Sequence, residues 1–434
     1  MTAGKDLVTP PQAPGLDSAL SDWLSYLEQL HSSEIDLGLQ RLGKVDANLR
    51  QGRKPARFVI TVAGTNGKGS TVCYLSTILQ RAGYNVGVYS SPHMTDYRER
   101  VLVNGKMLSE QAHVAAFNAV EQARGETSLT YFEFGTLAAF YLMQQQPLDV
   151  AILEVGLGGR LDAVNIVDAD VAVVTRIGID HVAFLGDNRE QIGYEKAGIA
   201  RADKPLICGD PSPPKSIAGH ARDIGARLMQ RGRQFSFSEH AAGWHYRGID
   251  SNLMNLPLPQ LPLQNAATSL AALECLPLAV SADAIAQGLS EAQLSGRMQQ
   301  LLYRDCELLL DVGHNPQAAE YLAEEIPKRF KNRPVYAVVG MLKDKDHSGV
   351  FKALAGCVSR WYLGSLSEPR GNTAVQLKAG LTPLDIEPTG EFDSVEAAFE
   401  QALADAQATQ IEKPLVFVFG SFYTVGRINQ QIRS

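Results

Sequence analysis

A glycine-rich segment with one lysine, VAGTNGKGST at residues 62–71, is the stretch whose residue types most directly indicate chemistry. Backbone N–H groups of such a loop, placed at a helix N-terminus, bind phosphate, and Lys68 adds positive charge for the β- and γ-phosphate oxygens. The segment predicts a nucleotide site, with a ligand-free strand-to-helix turn as the alternative. The predicted nucleotide-binding residues are Gly64, Thr65, Asn66, Gly67, Lys68, Gly69 and Ser70.

The spacing within this loop differs from the usual phosphate loop, G-x-x-x-x-G-K-[ST]. Two residues separate Gly64 from Gly67, and Gly69 stands between Lys68 and the hydroxyl of Ser70. In the usual loop the hydroxyl directly after the lysine binds Mg²⁺, which prefers hard oxygen ligands. The displaced hydroxyl predicts that side chains from elsewhere complete the metal site.

Polar side chains near other apolar runs are candidates for that site. Ser91 occurs in SSPH, Glu154 in LEVGLGG and His181 in GIDH. A carboxylate within AILEVGL is costly to bury unpaired, which makes Glu154 a functional candidate. A strand-end histidine, taken alone, is more often only hydrogen-bonded. Lys196, in the predicted helix of YEKAGI, would by itself be interpreted as a solvated lysine.

A second polar turn follows an apolar run in the later half of the chain. Asp311 and His314 belong to DVGHNP, and Arg297 precedes them in LSGR. A guanidinium at this place can neutralise charge on a transferring phosphoryl group. An ion pair between domains is the alternative interpretation of Arg297.

The apolar runs predict the elements that position these residues. Strands are predicted at residues 57–64, 85–91, 149–159 and 169–181, and a helix at residues 70–83. Continuous apolar runs favour parallel strands covered on both faces. Strands that alternate with helices predict a doubly wound α/β sheet, in which ligands bind at the carboxyl ends of the strands.

The second half of the sequence repeats this alternation. Its predicted strands lie at residues 307–312, 334–341, 358–366 and 414–426. They predict a second, smaller α/β domain, with a boundary near residues 295 and 296. The predicted domains are therefore residues 1–295 and 296–434.

Composition excludes several classes of function. The 434 residues carry a net charge of -7, which gives no basic footprint for nucleic acid or an anionic membrane. No apolar run reaches the length of a membrane span. The five cysteines form no C-x-x-C pair, which predicts buried, reduced thiols in a cytoplasmic protein. The N-terminal residues lack a signal-peptide pattern, and TPPQAPG is expected to be a loose tail.

The motifs GTNGKGS, SSPH, LEVGLGGRLDAVN, GIDH, EKAGI, LSGR, DVGHNP and GSFYTVG occur in this order. As an ordered set, the sequence resembles the folylpolyglutamate synthase and dihydrofolate synthase branch of the Mur ligase superfamily. Muramyl peptide ligases usually carry threonine or serine directly after the lysine, so Gly69 favours the folate branch. The resemblance implies an α/β fold with a P-loop-type ATPase domain and a smaller Rossmann-like C-terminal domain.

The resemblance also implies ATP-dependent amide-bond formation with Mg²⁺. A substrate carboxylate attacks the γ-phosphate to form an acyl phosphate, and the amine of L-glutamate then displaces phosphate. The implied acceptors are dihydropteroate and reduced folates, in a bifunctional enzyme that works as a monomer. Residues 1–295 would bind ATP and the pterin, and residues 296–434 would form the glutamate-ligase domain.

Individual roles are implied by the same motifs. The implied metal ligands are Ser91, Glu154, His181 and a carbamylated Lys196. The implied nucleotide contacts beyond the loop are Asn265, Arg297 and Asp311. The implied substrate contacts are Thr130, Phe132 and Asp162 for the pterin and Ser421 for glutamate. The implied catalytic residues are Lys68, Lys196, Arg297 and His314. Plain core packing is the alternative for Phe132.

Three alternative functions stay open. The first is a folylpolyglutamate synthase that acts only on tetrahydrofolates, the second a muramyl peptide ligase, and the third an inactive ATP-binding regulator. The intact set of charged motif residues argues against the third. One position departs from the expected pattern, since Val164 in LDAVN stands where the family motif leads us to expect threonine.

Overall fold

The chain of the computed structural model packs into two units, and the residues described are 12–331, 333–409 and 413–433. The first unit runs up to His93 and resumes at Tyr97–Glu291. The second consists of Met94–Asp96 and the chain from Ala292 onwards. The predicted N-terminal tail begins outside the described residues. The functional division into residues 1–295 and 296–434 stays a prediction.

The first unit is built on a sheet whose central strands are parallel, as the apolar runs predict. Its strands are β1 (Phe58–Ala63), β2 (Val86–Tyr89), β3 (Val101–Val103), β4 (Lys106–Met107), β5 (Val150–Glu154), β6 (Val171–Val174), β7 (Pro205–Cys208) and β8 (Arg227–Gln230). They are ordered β4-β3-β2-β5-β1-β6-β7-β8. The strands from β2 to β8 in this order pair in parallel, and β3 and β4 are antiparallel additions at one edge. Every residue of β5, β6 and β7 is buried, as expected for strands covered on both faces.

Helices cover both faces of this sheet. They are α1 (Leu20–Gln29), α2 (Gln40–Arg50), α3 (Lys68–Arg81), α4 (Glu110–Arg124), α5 (Tyr131–Gln144), α6 (Val182–Leu185), α7 (Arg189–Ala197), α8 (Lys215–Ile224), α9 (Leu263–Glu274) and α10 (Ala282–Glu291). Val59 and Ala63 of β1 join a core with side chains of α1, α4 and α5. Successive strand residues point to opposite faces. Helix α3 packs against α9 and α10.

Two predicted strands end earlier than the apolar runs indicated. The run at 149–159 forms a strand only to Glu154, where the glycines of GLGG begin to turn the chain. The run at 169–181 forms a strand only to Val174. Thr175 still donates its N–H to the Ala63 carbonyl of β1 at 2.9 Å, but the next carbonyl, that of Arg176, accepts the Thr65 N–H of the phosphate loop at 2.8 Å. The prediction that His181 ends a strand is therefore wrong.

A small antiparallel sheet in the first unit was not predicted. Its strands are β9 (Ser236–His240), β10 (Gly243–Arg247) and β11 (Asn252–Leu256). Trp244 and Tyr246 of β10 are fully buried, whereas most of β9 and β11 is partly or fully exposed. Such short polar strands carry little apolar periodicity, so no strand was predicted here.

The second unit is a smaller sheet covered by helices. Its strands are β12 (Gln299–Tyr303), β13 (Cys306–Asp311), β14 (Val335–Val339), β15 (Arg360–Gly364), β16 (Gly390–Phe392) and β17 (Leu415–Phe419), and its helices are α11 (Pro316–Phe330), α12 (His347–Leu354), α13 (Ala374–Leu381), α14 (Val395–Ala408) and α15 (Phe422–Arg433). The order is β12-β13-β17-β14-β15-β16, parallel except for β12. This confirms the predicted second α/β sheet.

The strand predicted at residues 414–426 is half helix. β17 ends at Phe419, Gly420 has a φ of 112°, and α15 begins at Phe422. Gly420 breaks the strand because only glycine adopts such a conformation without strain. Ser421 then caps the new helix. Among the described helices, none combines the length and apolar character that crossing a bilayer needs.

Candidate active site

The phosphate loop connects β1 to α3 and is held by the segment that follows β6. Thr65 and Asn66 donate backbone N–H groups to the Arg176 carbonyl at 2.8 and 3.4 Å. A Cβ atom at Gly64 would lie 1.8 Å from Oγ1 of Thr175, so that position requires glycine. Because α3 begins at Lys68, the loop ends at a helix N-terminus, the geometry that binds phosphate.

Lys68 and Asn265 lie against this loop from two sides. Lys68 donates from Nζ to the Gly64 carbonyl at 3.0 Å. Asn265, in the first turn of α9, is buried, and a Cβ atom at Gly67 would lie 2.7 Å from its Oδ1. Gly69 and Ser70 fall in the first turn of α3, and Ser70 is buried. The structure thus brings the predicted nucleotide residues of the first unit together.

Two of the predicted metal ligands lie at or just beyond the ends of β5 and β2, which lie in succession beside β1, at the same edge of the sheet. Glu154 is the last residue of β5 and pairs with Val62 of β1. Ser91 follows β2 by two residues, and β2 is the other neighbour of β5. Carboxyl ends of parallel strands meet at one edge of a sheet. Ser91, Glu154 and the phosphate loop therefore form one row.

His181 is positioned by a short helix and not by the predicted strand end. It lies seven residues beyond the end of β6 and is the residue that precedes α6. Its backbone is left-handed, with a φ of 52°, and its Nε2 lies 4.0 Å from Oδ2 of Asp180. Its role as a metal ligand stays a prediction.

Lys196 is buried near the end of α7, which overturns the interpretation as a solvated lysine. Burial and the charge of Lys68 lower the pKa of Lys196 to about 7, although Asp180 and Asp162 oppose the shift. A lysine in this state is neutral in a substantial fraction of molecules near neutral pH. Its amine is then a nucleophile, as carbamate formation requires.

Asp162 is a buried carboxylate fixed by backbone donors. Its oxygens accept from the N–H groups of Leu157 at 2.8 Å and Val164 at 2.9 Å. Burial raises the pKa of Asp162 to about 6, while the backbone donors and Lys68 act in the opposite direction. Val164 uses its backbone here, so the missing threonine hydroxyl does not affect this contact.

Phe132 lies between the glycine turn after β5 and an aromatic neighbour. A Cβ atom at Gly156 would lie 2.5 Å from Cζ of Phe132, and the ring centroid of Tyr89 is 6.2 Å away. Thr130 is buried and caps α5, accepting the Glu133 N–H at 3.2 Å. Thr130 thus supports α5 at the point where Phe132 leaves it.

Glu133 and Arg41 were missed by the sequence analysis, although they hold this segment. Glu133 accepts the Thr130 N–H at 2.8 Å, which completes a capping box, and Arg41 donates to both carboxylate oxygens at 3.0 and 3.2 Å. The pattern T-x-x-E in TYFE is a recognised signature of such a box. Arg41 gave no signal, since its partner is far away in sequence.

The second unit brings Arg297, Asp311 and His314 together. Asp311 ends β13 and accepts the N–H groups of Met298 at 2.8 Å and Gly313 at 2.7 Å. Burial raises the pKa of Asp311, whereas Arg297 and His314 act in the opposite direction. The guanidinium of Arg297 lies 4.9 Å from the ring centroid of Phe422.

His314 and Ser421 complete this second group. Nδ1 of His314 lies 3.0 Å from the Val312 carbonyl. A carbonyl only accepts, so Nδ1 carries the proton and Nε2 is the basic nitrogen of the neutral ring. Ser421 is buried two residues beyond β17, the neighbour of β13, and accepts the Thr424 N–H at 3.0 Å. The contact of Ser421 with glutamate stays a prediction.

The donors in the first unit fit a magnesium ion that also binds nucleotide phosphates. Among the described residues, no three His, Cys, Asp or Glu side chains form a metal cluster of their own. Mg²⁺ typically takes one or two carboxylates together with substrate phosphates and water. Glu154 is a buried carboxylate at the edge where the phosphate loop begins, so it can be the carboxylate ligand of an ion whose other ligands include phosphate and water.

Two family models match the chain. The Mur ligase middle domain matches residues 62–207, and the Mur ligase, glutamate ligase domain matches residues 296–422. The dihydrofolate synthase/folylpolyglutamate synthase of Escherichia coli (strain K12) is 51% identical over 424 residues, which cover 97% of each chain. The family predicted from the ordered motifs is therefore confirmed.

Solved structures agree with this assignment. Escherichia coli FolC in complex with DHPP and ADP has a TM-score of 0.92 and 50% identity, over 97% of this chain and 99% of that chain. A bifunctional folylpolyglutamate synthase/dihydrofolate synthase with Mn, AMPPNP and L-glutamate bound has a TM-score of 0.90 and 46% identity, over 98% and 100%. These similarities confirm the predicted Mur ligase architecture. The chain belongs to the dihydrofolate synthase/folylpolyglutamate synthase branch of the Mur ligase family.

Proposed function

We propose that the chain joins L-glutamate to dihydropteroate, forming dihydrofolate, and adds further glutamates to reduced folates, with ATP and Mg²⁺. A carboxylate oxygen of the acceptor attacks the γ-phosphorus, and ADP leaves. The amine of glutamate then attacks the acyl carbon, phosphate leaves with the C–O bond electrons, and the new amide nitrogen loses a proton. Both steps need charge stabilisation and exclusion of water.

The observation that carries this proposal is the grouping of Lys68, Lys196 and Asp162 beside the phosphate loop. The charge of Lys68 acts on the pKa of both Lys196 and Asp162, and the charge of Asp162 acts on the pKa of Lys196, so the three groups lie within electrostatic reach. Lys68 sits at the start of α3, where a β- or γ-phosphate would meet both its ammonium and the helix N-terminus. Grouped titratable residues with shifted pKa values are typical of catalytic sites.

Lys196 acts as a carbamate in this proposal. The ammonium first loses one proton, and the neutral amine then adds to CO₂ and releases a second, so a buried cation becomes an anion. The product has two hard oxygen donors of the kind that Mg²⁺ prefers. The lowered pKa supports this role because a charged ammonium cannot attack CO₂.

Ser91, Glu154 and His181 would hold the metal ion at the phosphates. Bound Mg²⁺ neutralises charge on the transferring phosphoryl group. Glu154 is positioned for this by β5, and Ser91 by the chain after β2. The phosphate loop and Asn265 bind the remainder of the nucleotide.

Phe132 and Asp162 would bind the pterin. The ring of Phe132 offers a stacking surface that Tyr89 supports from behind. The carboxylate of Asp162 accepts hydrogen bonds from the pterin's amidine-like donors when it is ionised. Thr130 acts by fixing the start of α5, so we regard it as a positioning residue.

In the second unit, Arg297 would neutralise charge on the γ-phosphate, and Asp311 would orient the segment beside it. His314 would take the proton from the attacking amine at Nε2, since Nδ1 is the donor to the Val312 carbonyl. Ser421 would support glutamate binding. We further propose that the chain works in the cytoplasm, since the five cysteines are all free thiols, and as a monomer, as the family resemblance implies.

Phosphate release tests the proposal. The chain is incubated with ATP, Mg²⁺ and L-glutamate, with dihydropteroate in one assay and tetrahydrofolate in the other. Release in both assays is the expected result. Release with tetrahydrofolate alone would establish the monofunctional alternative and exclude Phe132 and Asp162 as a dihydropteroate site. ATP binding without release in either assay would establish an inactive regulator.

A further inference from the structure

Two arginines lie on the side of the phosphate loop away from Glu154, at the carboxyl edge of the same sheet. Arg176 follows β6 by two residues, and Arg231 follows β8 by one. Strand β7 lies between β6 and β8 in the sheet. The reaction proposed above uses neither side chain.

Arg231 has a guanidinium that the described residues leave partly unsatisfied. Its Nη1 atom is buried and has no hydrogen-bond partner in the described part of the chain. Its guanidinium carbon lies 4.6 Å from the ring centroid of Phe237, which accounts for one face of the group. A buried donor without a partner is costly, because the water it gave up is not replaced.

Arg176 adds a second positive charge next to this group. Burial and the charge of Arg176 lower the pKa of Arg231, and Asp210 acts in the opposite direction. Guanidinium groups stay charged at any physiological pH, so neither arginine relieves the repulsion by losing a proton. Two like charges held together in this way are stabilised when an anion lies between them.

Asp210 is the carboxylate whose charge opposes the lowered pKa of Arg231, but both of its oxygens already accept other hydrogen bonds. Oδ2 accepts from the Ile177 N–H at 2.8 Å and from Arg189 at 2.9 Å, and Oδ1 accepts from the Ser212 N–H at 2.8 Å. These bonds tie the loop after β7 to α7, and Arg231 donates no hydrogen bond to Asp210. Asp210 therefore attracts Arg231 through space but leaves its Nη1 atom without a hydrogen-bond acceptor among the described residues.

The pair is separate from Lys68 but connected to its loop. The carbonyl of Arg176 accepts from Thr65 and Asn66 of the phosphate loop. Neighbouring strands lie about 4.8 Å apart, so the end of β8 is roughly 14 Å across the sheet from the end of β1. A small anion at Arg231 would not overlap a phosphate held at Lys68.

We propose that Arg176 and Arg231 form a second anion site, which binds a phosphate-type oxyanion. The planar donor fork of a guanidinium matches the oxygens of phosphate, and Nη1 of Arg231 is a donor that such an oxygen would satisfy. The oxyanion is either free inorganic phosphate or a phosphate group of the nucleotide itself. Inorganic phosphate is also a product of the proposed reaction, but this site is inferred from the contacts of the two arginines and does not depend on that reaction.

Calorimetric titration of the full chain with inorganic phosphate tests this site, with and without saturating ADP. We expect Arg231→Gln and Arg176→Gln each to weaken phosphate binding by about tenfold or more, as for a lost charge-assisted hydrogen bond. Arg233→Gln is the matched control, because Arg233 is exposed two residues away. Wild-type affinity for phosphate in both arginine variants would overturn the proposal.

The titrations with saturating ADP distinguish free phosphate from a phosphate group of the nucleotide. If phosphate still binds when ADP is saturating, and this binding is lost in the variants, the site takes free phosphate. If ADP abolishes the variant-sensitive binding and the variants also weaken ADP, the site serves a nucleotide phosphate.

Thermal unfolding, measured with and without phosphate, distinguishes an anion site from a purely structural role of the arginines. For wild type we expect phosphate to raise the melting temperature, and for Arg176→Gln we expect this rise to be lost while the phosphate-free melting temperature is equal or higher. A merely structural arginine would instead lower the melting temperature equally in both buffers, which would count against an anion site. Arg176 is suited to this measurement because it is half-buried and its loss removes repulsion.

Discussion

A cation is buried on one side of the phosphate loop and partly buried on the other, and the physical consequences differ. On the β5 side, burial and Lys68 lower the pKa of Lys196 to about 7, so this group can become neutral. On the β8 side, Arg231 is subject to the same two influences, burial and a neighbouring cation, but a guanidinium keeps its proton. A buried lysine can thus supply a nucleophile, whereas a partly buried arginine keeps its charge and favours a bound anion.

The largest expected effect concerns the lysine. Lys196→Ala and Lys196→Arg should both lower kcat by about a thousandfold, because neither side chain forms the carbamate at the transferring phosphoryl group. Steady-state phosphate release measures this, with Lys44→Ala as the control, since Lys44 is an exposed lysine of α2. Removal of CO₂ should inactivate the wild type and bicarbonate should restore it. Full activity of Lys196→Arg would exclude the carbamate.

The second prediction compares Lys196→Met with Arg231→Met by urea unfolding in CO₂-free buffer. The pKa of Lys196 is lowered in the folded chain, so between pH 10.5 and about 7 the unfolded chain binds a proton that the folded chain does not. The wild type therefore loses stability relative to Lys196→Met as pH falls through this window, by a few kcal/mol in total. Below the window, the difference in free energy of unfolding between the two proteins is constant.

For Arg231→Met, the difference in free energy of unfolding from the wild type should be independent of pH over the same range, because arginine stays protonated in both the folded and the unfolded chain. This difference separates a titrating cation from a permanent one. A gap for Lys196→Met that did not change between pH 10 and 7 would contradict the lowered pKa.

A smaller effect is expected at Asp162, the proposed pterin contact. The pKa of Asp162 is raised to about 6, so the KM for dihydropteroate should rise as pH falls through that value and the carboxylate gains a proton. Asp162→Asn should raise this KM about tenfold at pH 8 and remove the pH dependence. Initial rates across pH 5 to 8 measure it, and an unchanged KM for ATP is the control. A wild-type KM that is flat through pH 6 would rule out this role.

The smallest effect concerns the aromatic partner of the arginine. Phe237→Leu should lower the free energy of unfolding by about 1 kcal/mol, through loss of the cation–π contact with Arg231 and of edge packing on Trp244. A double-mutant cycle with Arg231→Met should give a coupling of about 0.5–1 kcal/mol. Zero coupling would mean that the ring contributes only its packing.

The core strands and the phosphate loop were predictable because their signals are local. Continuous apolar runs indicated β1, β5 and β6, and the glycine pattern indicated the loop at residues 64–70. The ends of the strands were less accurate. Apolar residues after Val174 continue the run in sequence, but the backbone there leaves the sheet, since Arg176 bonds to the phosphate loop and Ile177 N–H donates to the Asp210 side chain.

By itself the sequence determined the family, the two α/β sheets and the identity of the residues at the carboxyl edges, since motifs and periodicity are properties of neighbouring residues. Only the tertiary structure decided the state of those residues. Lys196 looked solvated, and Arg176 and Arg231 gave no signal. Their burial and charged neighbours come from segments distant in the chain, and a pKa or an unsatisfied donor depends on surroundings that no local pattern encodes.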